Sequence, residues 1–201
     1  MDADFSIELG QEDPALDFPW TDPAAKFAYV DLKGRPELVA RIEEAERFSE
    51  LGEFLRTMNS ARSMVETAKC DAWATSELSA EEEIYDATHK CASYVDVVFA
   101  EIDVRLSLFR QSLSRQSLSA HEQFARNLVE LLRRAAEAPS SAEVCVRRCY
   151  YGEEGAIREG FYCTLYVSGY GNDDGSARQN WGVGLKLMGN AIMQLSASGV
   201  G

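Results

Sequence analysis

The sequence predicts an α+β fold, in which helices over about residues 36–138 pack on a mainly antiparallel C-terminal sheet of about four to six strands over residues 143–197, with one or two earlier strands added. Apolar residues recur every three or four positions in the first part, and apolar and polar residues alternate in the second. With 46% hydrophobic and 26% charged residues among 201, the composition is that of a soluble globular chain. We therefore expect a single domain over residues 26–201, preceded by an extended arm over residues 1–25.

The predicted arm is acidic, holds three of the five prolines and has neither a helical nor a strand period. Its aromatic residues Phe18 and Trp20 favour packing against the rest of the chain, because large rings gain by burial. Residues 26–33 alternate loosely between apolar and polar side chains, which predicts a short strand. Pro36 then suits the first turn of a helix.

An amphipathic helix is predicted over residues 36–59, where apolar residues lie three or four positions apart. They are Leu38, Ile42, Ala45, Phe48, Leu51, Leu55 and Met58. Residues 64–75 are predicted to form a strand, because Val65, Thr67 and Trp73 share one alternate phase.

A long helix is predicted next, over about residues 80–112. Ser79 and Glu82 form a capping box, in which the serine hydroxyl accepts from a free backbone amide and the glutamate reaches back to the cap. Helical spacing of apolar residues continues to Leu113, and such a helix would be roughly 50 Å long. A strand over residues 94–99 is the alternative, because three valines and two aromatic residues fall there.

A second capping box, Ser119 with Glu122, predicts another helix that ends before Pro139. Two helices joined by a short link are expected to pair as an antiparallel hairpin. The first of them would be longer than a globule of this chain length is wide, so it would kink or project. A projecting helix would offer a surface for homodimerisation.

Strands are predicted over residues 143–151 and 161–170, followed by an alternating segment that begins at Trp181. Residues 185–196 admit two interpretations. A hairpin that turns at Gly189 is preferred to a helix, because glycine inside a helix costs about 1 kcal/mol.

The negative charge of the chain, formally −13, belongs to its first half. Residues 1–100 carry 22 acidic and 9 basic residues, whereas residues 101–201 carry 11 of each. Nucleic acid is held mainly by Lys and Arg, so we expect no nucleic-acid partner.

The cysteines indicate a reducing compartment. Five cysteines, widely spaced in a chain of this size, do not suggest a disulfide framework. The first residues lack the basic and apolar stretches of a secretory signal, and no apolar run approaches the roughly 20 residues that span a bilayer. We expect a cytoplasmic protein that makes no membrane contact.

No metal or cofactor site is predicted. Cys145 and Cys149 lie four residues apart on one predicted strand and Cys163 lies on the next, but zinc sites use closer pairs or turns. Neither His89 nor His121 is placed to act as a general base, and no glycine-rich loop has phosphate-binding spacing. Whether the protein is an enzyme stays open at this point.

Tyrosines occupy one face of the strand predicted over residues 161–170. With basic and aromatic residues from neighbouring strands, they would form a wall suited to an organic anion or to a protein partner. The predicted ligand-binding residues are Arg147, Tyr162, Tyr166, Tyr170, Arg178 and Trp181. The alternative is that the helical hairpin or the arm covers this face.

The preferred function is that of a non-catalytic module that binds a small organic anion or a protein on the tyrosine face. One alternative is a small enzyme whose acid–base groups are carboxylates. The other is an acidic inhibitor or immunity-type protein, whose negative first half docks to a basic partner.

Overall fold

A six-stranded mixed sheet with helices against one of its faces forms the fold. The computed structural model describes residues 1–24, 26–78, 86–100, 114–135, 138–153 and 156–198. The strands are β1 (Asp2–Glu8), β2 (Leu16–Phe18), β3 (Val65–Thr75), β4 (His89–Phe99), β5 (Ser140–Glu153) and β6 (Ala156–Gly171). The helices are a 3-10 helix (Pro36–Arg41), α1 (Glu43–Arg47), α2 (Ser49–Met58), α3 (Leu118–Arg133) and α4 (Asp174–Ser198). The α+β class is confirmed. Among the described residues no helix is both long and apolar enough to cross a lipid bilayer.

The strand order is β1-β5-β6-β4-β3, and β2 also pairs with β5. β3, β4, β5 and β6 are antiparallel to their neighbours among themselves, whereas β1 and β2 run parallel to β5. The sheet is therefore mixed and not antiparallel throughout. Four of its six strands, β1 to β4, come before residue 100, which is more than the one or two earlier strands that the sequence predicts, so the sheet is not mainly C-terminal.

The N-terminal segment contains a strand that the sequence analysis missed. In β1 the apolar residues Ala3, Phe5 and Ile7 alternate with acidic or polar ones, and Ala3 and Phe5 pack on the helix side of the sheet. This is a strand period, so the statement that residues 1–25 lack one was wrong. The acidic residues and prolines had indicated an extended arm, but in β1 the acidic side chains lie on the side of the strand opposite to Ala3 and Phe5.

The middle of the predicted long helix is strand β4. It pairs with both β3 and β6, so the helix was wrong there and the strand alternative was correct. A strand at the centre of a sheet is buried on both faces, and its near-continuous apolar run also satisfies helical spacing. The predicted capping box at residues 79–82 and the remainder of that helix at 101–113 lie outside the described residues.

The second predicted helix is confirmed as α3. It begins after Ser117, whose hydroxyl accepts from the amide of Ala120 at 3.2 Å, and not at the predicted cap Ser119. Because β4 takes the place of the first helix over residues 89–99, these two segments do not form the predicted long helical hairpin.

The segment before β3 also differs in detail from the prediction. The helix expected over residues 36–59 is present as three consecutive pieces, the 3-10 helix, α1 and α2. The strand expected over residues 64–75 is confirmed as β3. No strand forms over residues 26–33, where a single bridge joins Thr21 and Ala28.

Residues 174–198 form one continuous helix, α4, so the preferred hairpin was wrong and the helix alternative was correct. A Cβ on Gly184 would lie 2.8 Å from Cγ1 of Val167, and a Cβ on Gly182 would lie 3.2 Å from Cγ of Glu50. Gly189, the glycine that argued against a helix, lies against Phe54 of α2, so these three glycines are positions where α4 approaches the sheet and α2 closely.

The main core lies between the helices and the sheet. Trp181 is fully buried there, and its indole Nε1 donates to Oγ of Ser93 at 3.0 Å. A Cβ on Gly169 would overlap the backbone nitrogen of Trp181, at 1.9 Å. Glycine at this position is what lets β6 and α4 come so close.

We call the side of the sheet away from the helices the outer face. Residues 16–29 cross one end of it, where Phe18 and Trp20 belong to a second apolar cluster with Tyr151 and Tyr162. The ring centroids of Phe18 and Tyr151 lie 5.9 Å apart, edge to face. The N-terminal segment thus packs on its own chain and covers part of the outer face.

Candidate functional site

The three predicted tyrosines of β6 share the outer face, as their alternation requires. Their exposure differs. Tyr162 and Tyr170 are each only 3% exposed, whereas Tyr166 is half-buried beside Tyr94 of β4, with ring centroids 6.2 Å apart. Only the middle of the predicted face is therefore within reach of a ligand.

Arg178 and Trp181 lie on α4, on the other side of the sheet, because the segment that carries them is a helix and not a strand. The Arg178 guanidinium donates to both carboxylate oxygens of Glu50, at 2.9 and 2.7 Å. The structure thus brings Arg147 and the tyrosines to one face and separates these two residues from them.

Arg147 is at the centre of a polar network on the outer face and is 8% exposed. Its Nε donates to Oε2 of Glu8 at 2.8 Å, and its Nη1 donates to Thr164 Oγ1 at 3.0 Å and to Tyr166 Oη at 3.1 Å. Nη2 lies 2.7 Å from the same Glu8 oxygen. Every nitrogen of the guanidinium is therefore engaged within the protein. Recognition of an anionic ligand would require two guanidinium N–H groups of Arg147 that are free to donate to it.

Asp96 extends this network onto β4. The hydroxyl of Thr164 donates to Oδ1 of Asp96 at 2.7 Å. Burial raises the pKa of Asp96 to about 6, against the lowering effects of the Thr164 hydrogen bond and of the positive charges on Lys69 and Arg147. Since Asp96 is only 6% exposed, its carboxyl group closes an internal network and does not face a cleft.

One group of side chains on the outer face has the spacing of metal ligands. The carboxylate oxygens of Glu8 and Glu143 and the sulfur of Cys145 all lie within 4.8 Å of one another, and Oγ of Ser6 is 3.2 Å from the sulfur. Burial raises the pKa of the Cys145 thiol to about 12, and Arg147 already neutralises Glu8. Both features disfavour a bound cation.

The three cysteines that the sequence offered as possible zinc ligands lie on opposite faces of the sheet. Cys145 and Cys149 are on the outer face, whereas Cys163 pairs opposite Val146 and packs into the main core. Three sulfurs separated by the sheet cannot meet at one ion.

A groove of about 520 Å³ lies beside β3, between the segment that follows β2 and the first turn of α1. Ile42 and Leu55 supply apolar contact, and Trp20, Phe27 and Tyr94 add aromatic rings. The charged lining residues are Asp22, Lys26, Arg41, Glu43, Glu44, Lys69 and Asp71. The groove combines apolar and aromatic walls with charges of both signs.

The groove runs along an edge of the sheet, since β3 is the last strand of the strand order and, among the residues that the structure describes, pairs with β4 alone. The first half of this edge is occupied by side chains. Lys33 Nζ donates to the carbonyl of Val65 at 2.9 Å, Asn59 Oδ1 accepts from the amide of Thr67 at 3.0 Å, and Trp20 Nε1 donates to the carbonyl of Ala68 at 2.6 Å. These contacts cap the edge up to the β-bulge that precedes Lys69.

The second half of the edge is open. The amide of Ala72 is bonded by the carboxylate of the adjacent Asp71 at 2.7 Å, which places this N–H on the side away from β4. Backbone groups of residues two apart point the same way, so those of Cys70 and Ala74 also face outward. Within the described part of the chain, no hydrogen bond from another element reaches the backbone of Cys70 or Ala74. We call β3 from Cys70 to Thr75, on this side, the open edge.

Two exposed aromatic residues stand near the open edge. Trp73 on β3 is 36% exposed, and Phe27 in the groove wall is 62% exposed. Exposed aromatic side chains beside a groove are typical of binding surfaces. The sequence analysis placed Trp73 on a strand, but nothing local identified that strand as an edge.

Cys70 lies in the groove but is not a nucleophile. Burial, followed by the negative charges of Glu44, Asp71 and Asp96, raises the pKa of its thiol to about 12. The thiol therefore stays protonated at neutral pH, and only the thiolate is reactive.

Comparison with known proteins gives no match: no family model fits the chain, and no curated protein or solved structure matches it.

Proposed function

We propose that the protein is a binding module that pairs the open edge of β3 with an extended segment of a partner protein. The observation that carries the proposal is that the groove and the open edge overlap at one end of the edge: Cys70 and Asp71 belong to the open edge and also line the groove. A peptide that adds a strand to a sheet gains main-chain hydrogen bonds from the edge, and pockets beside the edge select its side chains.

The dimensions of the site suit such a segment. A groove of about 520 Å³ is of the size that buries several side chains. The open edge would extend over roughly 20 Å at 3.3 Å per residue, which is enough for a strand of typical length. Trp73 belongs to the open edge and Phe27 lines the groove, so both exposed aromatic side chains are available to an added strand.

An organic anion on the tyrosine face has less support, because Arg147 is already neutralised by Glu8 and bonded to Thr164 and Tyr166. A carboxylate or phosphate would have to displace Glu8 from a contact that is largely buried.

An enzyme with a carboxylate acid or base also has less support. That function requires a carboxyl group with a shifted pKa inside a cleft. The pKa of Asp96 is raised, but Asp96 is buried and is not among the residues that line the groove.

The test is a selection from a displayed library of random peptides of about ten residues, a length that covers the whole open edge, against the full chain. Selected peptides are synthesised and their binding to the parent chain and to Ala74→Pro is measured by fluorescence anisotropy. Proline at position 74 removes an N–H that faces away from β4, so it blocks pairing with a peptide while sparing the β3–β4 ladder.

Ala74→Ser, which keeps the N–H, is the matched control. We expect the selected peptides to bind the parent and Ala74→Ser equally, and Ala74→Pro at least about tenfold more weakly, the loss expected when a main-chain hydrogen bond is replaced by a buried unpaired group. Circular dichroism and urea midpoints verify that both variants fold. Failure to select any peptide, or equal binding to a folded Ala74→Pro, would overturn the proposal.

A further inference from the structure

We infer that the segment bound at the open edge of β3 is cationic, with Lys or Arg alternating with apolar residues. This inference rests on the proposed function, because it names the chemistry of the segment that the edge would take.

The groove holds carboxylates that have no ion-pair partner among the described residues. Four of them line it: Asp22, Glu43, Glu44 and Asp71. None of the four takes part in an ion pair in the part of the chain that the structure describes. Of the three basic residues in the lining, Lys69 is the one on β3, and its ammonium is held over the ring of Trp20, 5.4 Å from the centroid.

Carboxylates lie close to the start of the open edge. Cys70 lines the groove, and after burial the causes that raise the pKa of its thiol are the negative charges of Glu44, Asp71 and Asp96. A positive side chain on an added strand would be attracted by these charges, whereas an acidic side chain would be repelled.

The two sides of the edge call for different side chains. An added strand points alternate side chains to the two faces of the sheet. On the helix side it would meet Ile42 and Leu55, with Glu44 at the border, and on the outer side it would meet Asp71 and Tyr94. Apolar side chains of the added strand suit the helix side. Lys or Arg suits the outer side and the border of the helix side near Glu44.

The charge of the whole chain favours the same partner. A chain of net charge −13, with its acidic excess in the half that contains β3, attracts cationic segments at long range and accelerates their association. A second copy of this chain would carry the same charge to the edge, so pairing between two copies of β3 is opposed by repulsion.

The test uses three peptides of about eight residues, long enough to pair with the whole open edge, in which Val alternates with Lys, Thr or Glu. Their binding to the full chain is measured by fluorescence anisotropy. We expect the Val/Lys peptide to bind about tenfold more tightly than Val/Thr and the Val/Glu peptide to bind weakest, in line with charge complementarity worth about 1.4 kcal/mol. Raising the salt concentration from about 50 to about 500 mM should remove most of the difference between the first two peptides.

The variant Glu44→Gln/Asp71→Asn should lower the affinity for Val/Lys toward that for Val/Thr. Glu46→Gln is the matched control, because Glu46 lies on α1 outside the groove lining and is exposed. One outcome is that the selected peptides bind the parent and not Ala74→Pro, and yet contain no Lys or Arg. That outcome would overturn this inference and leave the proposed function standing. If Ala74→Pro instead converts a dimer of the chain to a monomer in sedimentation analysis, the occupant of the edge is a second copy and the inference is wrong.

Discussion

Glu8 and Arg147 join the first strand of the protein to a strand that lies 139 residues later in the sequence. Nε and Nη2 of the guanidinium lie 2.8 and 2.7 Å from Oε2 of Glu8. The Arg147 side chain is 10% exposed and the Glu8 side chain 31%, so the pair is largely removed from water. Because β5 is the one strand neighbour of β1 within the described ranges of the chain, this contact is positioned to fix the end of β1 on the sheet.

We predict that Glu8→Gln lowers the free energy of unfolding by about 1–3 kcal/mol, since it leaves a mostly buried guanidinium without its counter-charge. Urea denaturation measures the change. The control is Glu122→Gln, which breaks the Arg126–Glu122 pair on the surface of α3, with side chains 51% and 41% exposed. That change should cost less than about 0.5 kcal/mol. Equal effects of the two substitutions would contradict the prediction.

This pair also shows where local sequence patterns stop being informative. Alternation along β6 was enough to place Tyr166 on one face, because it depends only on neighbouring residues. The partner of Arg147 could not be found in the same way. Glu8 meets it through parallel pairing of β1 with β5, and nothing in either segment specifies that pairing.

Two elements were assigned to the wrong class for the same kind of reason. β4 is buried on both faces, so its apolar residues fit helical spacing as well as strand spacing. In α4, Gly189 suggested a turn, but it is a position inside a continuous helix that lies against Phe54 of α2. In both cases tertiary packing decides between two conformations that the local sequence permits.

The candidate site was only partly accessible to sequence reasoning. The strand over residues 64–75 and its Trp73 were predicted, but the edge position of β3 depends on the order of all strands in the sheet. The open stretch from Cys70 to Thr75 depends further on contacts from Trp20 and Asn59, which close the first half of the edge.

Asp96 should make the protein less stable as the pH rises. Burial raises the pKa of its carboxyl group to about 6 in the folded state, above the value of about 3.9 in an unfolded chain. The folded state therefore holds the proton more tightly, and the contribution is full below pH 4 and is lost as the pH rises through 6.

We expect a loss of about 3 kcal/mol from this group across that range. Asp96→Asn, whose amide oxygen can still accept from Thr164, should remove this loss, so that the variant gains stability relative to the parent as the pH rises from 4 to 7. The difference in urea midpoint between variant and parent at closely spaced pH values measures it. Asp4→Asn, at an exposed carboxylate, should follow the pH profile of the parent, and a parent-like profile of Asp96→Asn would refute the assignment.

His121 should have the opposite effect in an overlapping range. Burial lowers the pKa of its imidazole to about 4, below the value of about 6.5 in an unfolded chain. Its contribution to stability is present above pH 6.5 and is lost as the pH falls through 4. Because the effects of Asp96 and His121 oppose each other, the parent alone should show a shallow dependence.

We predict that His121→Phe removes the acid-induced loss attributed to the imidazole, about 3 kcal/mol between pH 6.5 and 4. The ring of Phe99 lies 4.1 Å from that of His121, so an aromatic replacement fits the surroundings. The measurement is the difference in urea midpoint between pH 7 and pH 4.5. His89→Gln is the control and should retain the parent's acid sensitivity; a parent-like profile for His121→Phe would show that other groups are responsible.

Two glycines of α4 should respond in opposite directions to the same substitution. A Cβ on Gly184 would lie 2.8 Å from Cγ1 of Val167, a branched side chain of β6 that has little room to move. A Cβ on Gly189 would lie 3.6 Å from the nearest atom of Phe54, which is ordinary contact. Gly184→Ala should therefore lower the free energy of unfolding by about 1–3 kcal/mol through overpacking.

Gly189→Ala should raise that free energy by about 0.5–1 kcal/mol, because alanine is the better helix former and restricts the unfolded chain. Thermal and urea unfolding of the two variants beside the parent provide the comparison. If residues 185–196 formed a hairpin instead of a helix, alanine at the turn position 189 would be strained and would destabilise the protein. The sign of the Gly189→Ala effect therefore decides between the two interpretations that the sequence leaves open.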